Sequence, residues 1–183
     1  MTPARSWASG IALAVAACAV SVVATTAFDQ RAPFVVSGAV GEQVSSRALT
    51  AAAADVRFAD RVTVDDWHAD GRWIVVTVVA SAPQTEVDAV IELATLEVDG
   101  QVFQASERPG TSLVRTDLHV GTDTVGMLAF EVPERISDDE GLLRLSTTYA
   151  TPRLDDLVVL PIFLDDAPTE PSIEIEDSHL GAP

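Results

Sequence analysis

The densest chemistry lies in Thr63-Val64-Asp65-Asp66-Trp67-His68-Ala69-Asp70-Gly71. Asp66, His68, Asp70 and Gly71 take the first, third, fifth and sixth places of a calcium loop, where oxygen ligands and a sharp turn are needed. The twelfth place should supply a bidentate carboxylate, but it is Thr77, inside an apolar run that reads as a strand. An EF-hand is therefore excluded. A polar turn remains, or at most a simpler oxygen-ligand calcium site. Trp67 is the first residue to consider as a contact point, because an aromatic ring at a polar turn can anchor a partner; the alternative is that it caps the core.

Further carboxylates stand together at Asp138-Asp139-Glu140, Asp155-Asp156 and Asp165-Asp166. Such groups bind hard cations or share a proton in catalysis, but at strand ends they read as solvated turns. His68, His119 and His179 are too scattered to indicate a metal site. No G-x-S-x-G elbow and no P-loop occurs. Cys18 is the single cysteine, which excludes an internal disulfide and a cysteine-based zinc site. These residues assign no catalytic, cofactor-binding or metal site, and the expectation is a protein that is not an enzyme and holds no cofactor.

The elements that would position these residues belong to a 183-residue chain with 28 acids, 11 bases and a net charge of −17. Every base is Arg. The charge argues against nucleic acid, whose phosphates need compensating cations, and against docking of the folded part on anionic lipid. It fits a domain in an aqueous exterior.

Residues 6–28, SWASGIALAVAACAVSVVATTAF, hold no charge. As a helix they would reach ~34 Å, enough for a ~30 Å hydrocarbon layer. Arg5 precedes the segment and Asp29 comes directly after it, so a cytoplasmic N-terminus and an extracellular C-terminal domain are expected. The reading is a transmembrane signal-anchor. Its high alanine content leaves cleavage after Ala27 as one alternative. Val15-Ala16-Ala17-Cys18 leaves lipidation of Cys18 as another, although the chain stays apolar for ten residues beyond that cysteine. All three routes export the C-terminal domain.

Residues 29–45 read as a linker with a first short strand near Phe34–Ser37. Residues 46–164 divide into apolar runs separated by turn signals. Arg47–Phe58 is ambiguous: its alanines suit a helix, but the alternation Leu49, Ala51, Ala53 suits a strand with small residues packed inward, and the lack of helix signals elsewhere in the domain favours the strand. Arg72–Ala80 is apolar on both faces, so it should be central or covered on both sides, with Trp73 as its core anchor. Asp99-Gly100 marks a two-residue hairpin. Pro161 places the last strand at an edge or a bulge. Seven to nine strands without a helix give an all-β, antiparallel, immunoglobulin-like β-sandwich, preceded by one N-terminal transmembrane helix. Residues 165–183 carry six acids, no Arg and three prolines, and read as an acidic disordered tail. A sharper reading has Ile173 and Ile175, alternating with Glu174 and Glu176, adding a strand to a partner's sheet.

Several stretches carry a resemblance. Gly38-Ala39-Val40-Gly41-Glu42, Arg72-Trp73-Ile74-Val75-Val76, Asp99-Gly100-Gln101-Val102-Phe103 and Phe130-Glu131-Val132-Pro133 together resemble an uncharacterised family of immunoglobulin-like ectodomains. These occur on lipoproteins and membrane-anchored proteins of Gram-positive bacteria, especially actinobacteria. The resemblance covers about residues 34–164. It implies the sandwich, export and no known catalysis, and it carries over no site residue. The chain departs from many members in lacking a polar tether after its cysteine.

The expected function is a non-catalytic binding or accessory module, held in the cell membrane by a single pass and engaging a protein or cell-envelope partner. The alternative is a secreted enzyme or calcium-dependent module that uses the acidic turns.

Overall fold

The run 73–80, apolar on both faces, must be shielded from water on both, and the fold is arranged around it. The computed structural model of the chain describes residues 33–148 and 155–181. The predicted membrane segment, with Cys18, lies outside the described residues. Among the described residues no helix is long and apolar enough to cross a membrane.

In chain order the strands begin with β1 (Phe34–Ser37), β2 (Val44–Ser45), β3 (Thr50–Val64) and β4 (Trp67–Ser81). They continue with β5 (Leu93–Val98), β6 (Gln101–Gln104), β7 (Thr124–Val132), β8 (Glu140–Ser146) and β9 (Asp156–Phe163). Three two-residue strands close the chain: β10 (Thr169–Glu170), β11 (Ile173–Glu174) and β12 (His179–Leu180). One sheet has the order β1-β9-β8-β5-β6. The other has the order β10-β3-β4-β7-β12, with β2 and β11 also paired to β3. The main ladders are antiparallel, whereas β1 on β9, and β10 and β11 on β3, are parallel.

β4 is central, between β3 and β7. Its Ile74, Val76 and Val78 face the core between the sheets, with Leu128 and Phe130 of β7, Leu96 of β5, Leu143 and Leu145 of β8 and Leu160 of β9. Its Trp73 and Val75 face the other way. They belong to a second, smaller core with Ala59, Val62, Ala129, Ile173 and Ile175. Trp73 is therefore not the anchor of the inter-sheet core, which is built from aliphatic residues with Phe58 and Phe130. Coverage on both sides is what the double-faced apolar pattern demands.

Two bulges shape the β3–β4 hairpin. The pairing shifts between Ala53 and Asp55, and again between Ala59 and Arg61. At the second shift Gly71 and Arg72 oppose Asp60 alone, and Gly71 has φ 155°, a conformation that favours glycine. Beyond it Val62, Val64, Trp67 and Ala69 share a face and pack against the smaller core. The connection from β5 to β6 is the two-residue turn Asp99-Gly100, with φ positive at both residues. β1 ends opposite Val159, so Pro161, two residues on, lies beyond its reach on the open side of β9.

The largest departure from expectation is the C-terminal segment. It is not a solvated tail, and it pairs with its own sheet rather than a partner's. Pro168 O accepts the Phe58 N–H at 2.8 Å, β10 and β11 add to the free edge of β3, and the Ile175 N–H reaches Thr63 O at 2.9 Å. The chain then passes Thr111, whose hydroxyl donates to Ile175 O at 2.7 Å, and β12 pairs with Thr124 and Val125 of β7. The physical reason is alternation: Ile173 and Ile175 point inward and are buried, while Glu174 and Glu176 point to water. Three prolines and six acids mask a two-residue apolar period.

Ile175→Ala should cost about 2–4 kcal/mol in urea unfolding, whereas Glu174→Ala and Glu176→Ala should stay within about 0.5 kcal/mol of the unsubstituted chain. A solvated tail would show no difference among the three.

Candidate functional site

The acidic stretch that dominates the sequence is mostly strand. Its turn is only Asp65-Asp66, with φ 48° at Asp65, and Trp67 to Gly71 belong to β4. Alternation directs Trp67 and Ala69 to the smaller core and leaves His68 and Asp70 on the opposite, exposed face. Trp67 is half-buried, which makes it a cap on that core rather than a free contact point. The Asp70 carboxylate accepts from Arg61 Nε at 2.5 Å, and this bond holds its pKa below the usual carboxylate value. Among the described residues no group of three or more His, Cys, Asp or Glu is placed to hold a metal ion.

The other carboxylate groups separate by role. Asp99 in the β5–β6 turn accepts the backbone N–H groups of Ser137 and Asp138, each at 2.8 Å, and Asp138 Oδ2 accepts the Asp99 N–H at 2.8 Å. This reciprocal clasp ties two loops together. Asp165-Asp166 forms the turn before β10. His119 Nδ1 stands 3.5 Å from Glu86 Oε1, and His179 lies in β12.

Asp156 behaves differently from a solvated turn. It is only 6% exposed, opens β9, and stands opposite Phe34 of β1. Three N–H groups of one residue, Arg47, converge on it: Nη2 at 2.8 Å and Nε at 3.1 Å on Oδ1, and the backbone N–H at 2.7 Å on Oδ2. Arg47 is presented by the tight turn between β2 and β3. There the Ser46 hydroxyl accepts from the N–H groups of Ala48 and Leu49, and buried Leu49 fixes the turn against the core. The guanidinium also leans over the Phe34 ring, 5.6 Å from its centroid.

These groups line a cleft of about 510 Å³ where an edge of one sheet meets an edge of the other. Phe34 and Val36 come from β1, Asp156 from β9, Ser45 from β2, and Arg47 with Ser46 from the turn. Gln84, beyond β4, completes the rim. The Arg47 hydrogen bonds hold the Asp156 pKa below the usual carboxylate range against the opposing effect of burial, and Asp156 in turn raises that of Arg47. The result is a fixed, electrically balanced pair with an aromatic ring beside it, able to present N–H donors at a defined angle. The sequence marks Asp155-Asp156 as acidic but does not reveal its partner, because Arg47 lies 109 residues away.

No protein-family model matches the chain, and no curated protein does. Among solved structures the chain is similar to a lipoprotein candidate from Staphylococcus aureus, at 10% identity and TM-score 0.47, over 75% of this chain and 97% of that one. It is also similar to an uncharacterised β-sandwich protein from Clostridium difficile, at 13% identity and TM-score 0.45, over 71% of this chain and 95% of that one. The assignment of a two-sheet sandwich rests on the pairing within this chain.

Asp156→Asn should lower Tm at pH 7 by about 5 °C. The folded carboxyl has a lower pKa than the unfolded one, so its contribution is fully present above about pH 4 and fades as pH falls through the folded value. The gap between the variant and the unsubstituted chain should therefore narrow below pH 4 in thermal melts. An equal loss at every pH would contradict the ion-pair account.

Proposed function

We propose that the chain is a membrane-anchored extracellular β-sandwich acting as a non-catalytic binding or accessory module at the cell envelope. The observation that carries this reading is the contrast between the outer faces of the two sheets. The outer face of the β3–β4–β7 sheet is covered by the chain's own C-terminal segment. Among the described residues the outer face of the other sheet has no such cover and exposes Val35, Leu142, Phe163 and Val102 around the Arg144–Glu97 ion pair. Val35, Val102 and Phe163 are 59, 58 and 53% exposed. The register sets Pro161, Leu142, Glu97 and Val102 in one row across β9, β8, β5 and β6. Apolar groups gathered on one face of so acidic a protein favour a protein or envelope-polymer partner over free solvent.

Strand order supports the immunoglobulin-like part of the proposal. β8 stands between β5 and β9 as the F strand stands between C and G, β6 extends the sheet beside β5, and β4 pairs with β7 as B pairs with E. Residues 6–28 supply the anchor in this reading, and the net charge of −17 turns the domain away from nucleic acid and anionic headgroups.

Fractionation of cells that make the full chain, with intact-mass measurement and antibody labelling before permeabilisation, tests the proposal. The full-length mass should appear in the membrane fraction and the sandwich should label on intact cells. Labelling only after permeabilisation would overturn the extracellular placement. A chain starting near residue 28 in the medium, or a diacylglycerol adduct on Cys18, would overturn the spanning anchor.

A further inference from the structure

We propose that the cleft between Phe34, Arg47 and Gln84 is a saccharide-binding site that takes a neutral pyranose unit of an envelope glycan. The cleft volume of about 510 Å³ falls within the range of small-ligand sites. Three features define what fits it.

The first is the ring of Phe34. The residue is 57% exposed although it sits in a strand, and the guanidinium leaning over it leaves much of the ring open. A pyranose presents C–H groups on its faces, and the electron-rich face of an aromatic ring receives them. The second is a fixed fork of donors. A guanidinium carries five N–H groups, of which Asp156 takes the one on Nε and one on Nη2. The other three stand on a side chain that is 71% exposed yet held in place at both ends, by the buried carboxylate and by the backbone turn. Planar donors of this kind bond pairs of adjacent sugar hydroxyls, and the Gln84 amide and the Ser45 and Ser46 hydroxyls add further donors and acceptors on the rim.

The third feature is charge, and it selects the class. Arg47 and Asp156 cancel locally, while the protein as a whole carries −17. An anionic ligand meets that field, with Asp155 beside the cleft, and a cationic ligand meets the guanidinium. A neutral molecule with an apolar face and a hydroxyl rim meets neither penalty.

The proposal rests on the extracellular reading above, and the two fail separately: cell fractionation reports on location, whereas titration of the purified chain reports on the cleft. The full chain, held in a detergent without a sugar headgroup, is titrated calorimetrically with chitotriose, cellotriose and mannotriose, and with trigalacturonate as an anionic counterpart. At least one neutral trisaccharide should bind saturably. Phe34→Ala and Gln84→Ala, both at exposed side chains, should each weaken that binding about tenfold or more, roughly 1.4 kcal/mol, with the melting curve unchanged. Absence of saturable binding by any neutral probe, or binding untouched by both substitutions, would overturn the site. Tighter binding of trigalacturonate than of every neutral probe would overturn the ligand class.

Discussion

A strand that is apolar on both faces must be shielded from water on both, and β4 imposes that condition on everything around it. Its inward face is met by the second sheet, which supplies Leu96, Leu143, Leu145 and Leu160. Its outward face carries Trp73 and Val75, and no third sheet exists among the described residues to cover them. The chain solves the problem locally. A bulge at Gly71 and Arg72 reshapes the end of the β3–β4 hairpin so that Val62, Val64, Trp67 and Ala69 join Trp73, and the C-terminal segment closes the remainder with Ile173 and Ile175. Each fully buried aliphatic side chain of this kind is worth about 1.5–3 kcal/mol. Two of them decide whether a segment with six acids stays on the sheet.

The same segment also settles the fate of the sheet edges. Unpaired edge strands invite pairing with other chains, and short or covered edges prevent it. β10, β11 and β2 occupy the free side of β3, and β12 occupies that of β7, each with only two residues. The carboxylates of Glu174 and Glu176 then line the outside of the covered sheet. Acidity and burial are therefore compatible within one stretch: alternation assigns the charges to water and the isoleucines to the core.

Much of this architecture is legible in the sequence, and the exceptions have physical causes. The double-faced run, the Asp99-Gly100 hairpin and the interruption at Pro161 are local signals, set by residues adjacent in the chain. The position of Trp73 is not legible, because alternation says which residues share a face but not which face looks inward. The acidic stretch from Thr63 to Gly71 resembles one long turn because polar residues occupy its exposed face; the apolar residues between them, Trp67 and Ala69, show the strand. In the C-terminal segment an acidic, proline-rich composition hides the period that governs its fold. The Arg47–Asp156 pair is beyond reach for a different reason. Its partners are 109 residues apart and meet only because β1 pairs with β9 and the β2–β3 turn lies against that edge.

The cleft inherits its rigidity from this framework: buried Leu49 fixes the turn that carries Arg47, and the β1–β9 ladder fixes Phe34 opposite Asp156. All of it presupposes a sandwich whose doubly apolar strand is closed by its own C-terminus. Native-state hydrogen exchange at the Ile175 amide, which donates to Thr63 O, reads that closure directly. The closed structure predicts that this amide exchanges as slowly as the amides of Val75 and Val76 in β4, through global unfolding. Exchange within about tenfold of the unprotected rate, with β4 still protected, would show that the segment does not close the sheet.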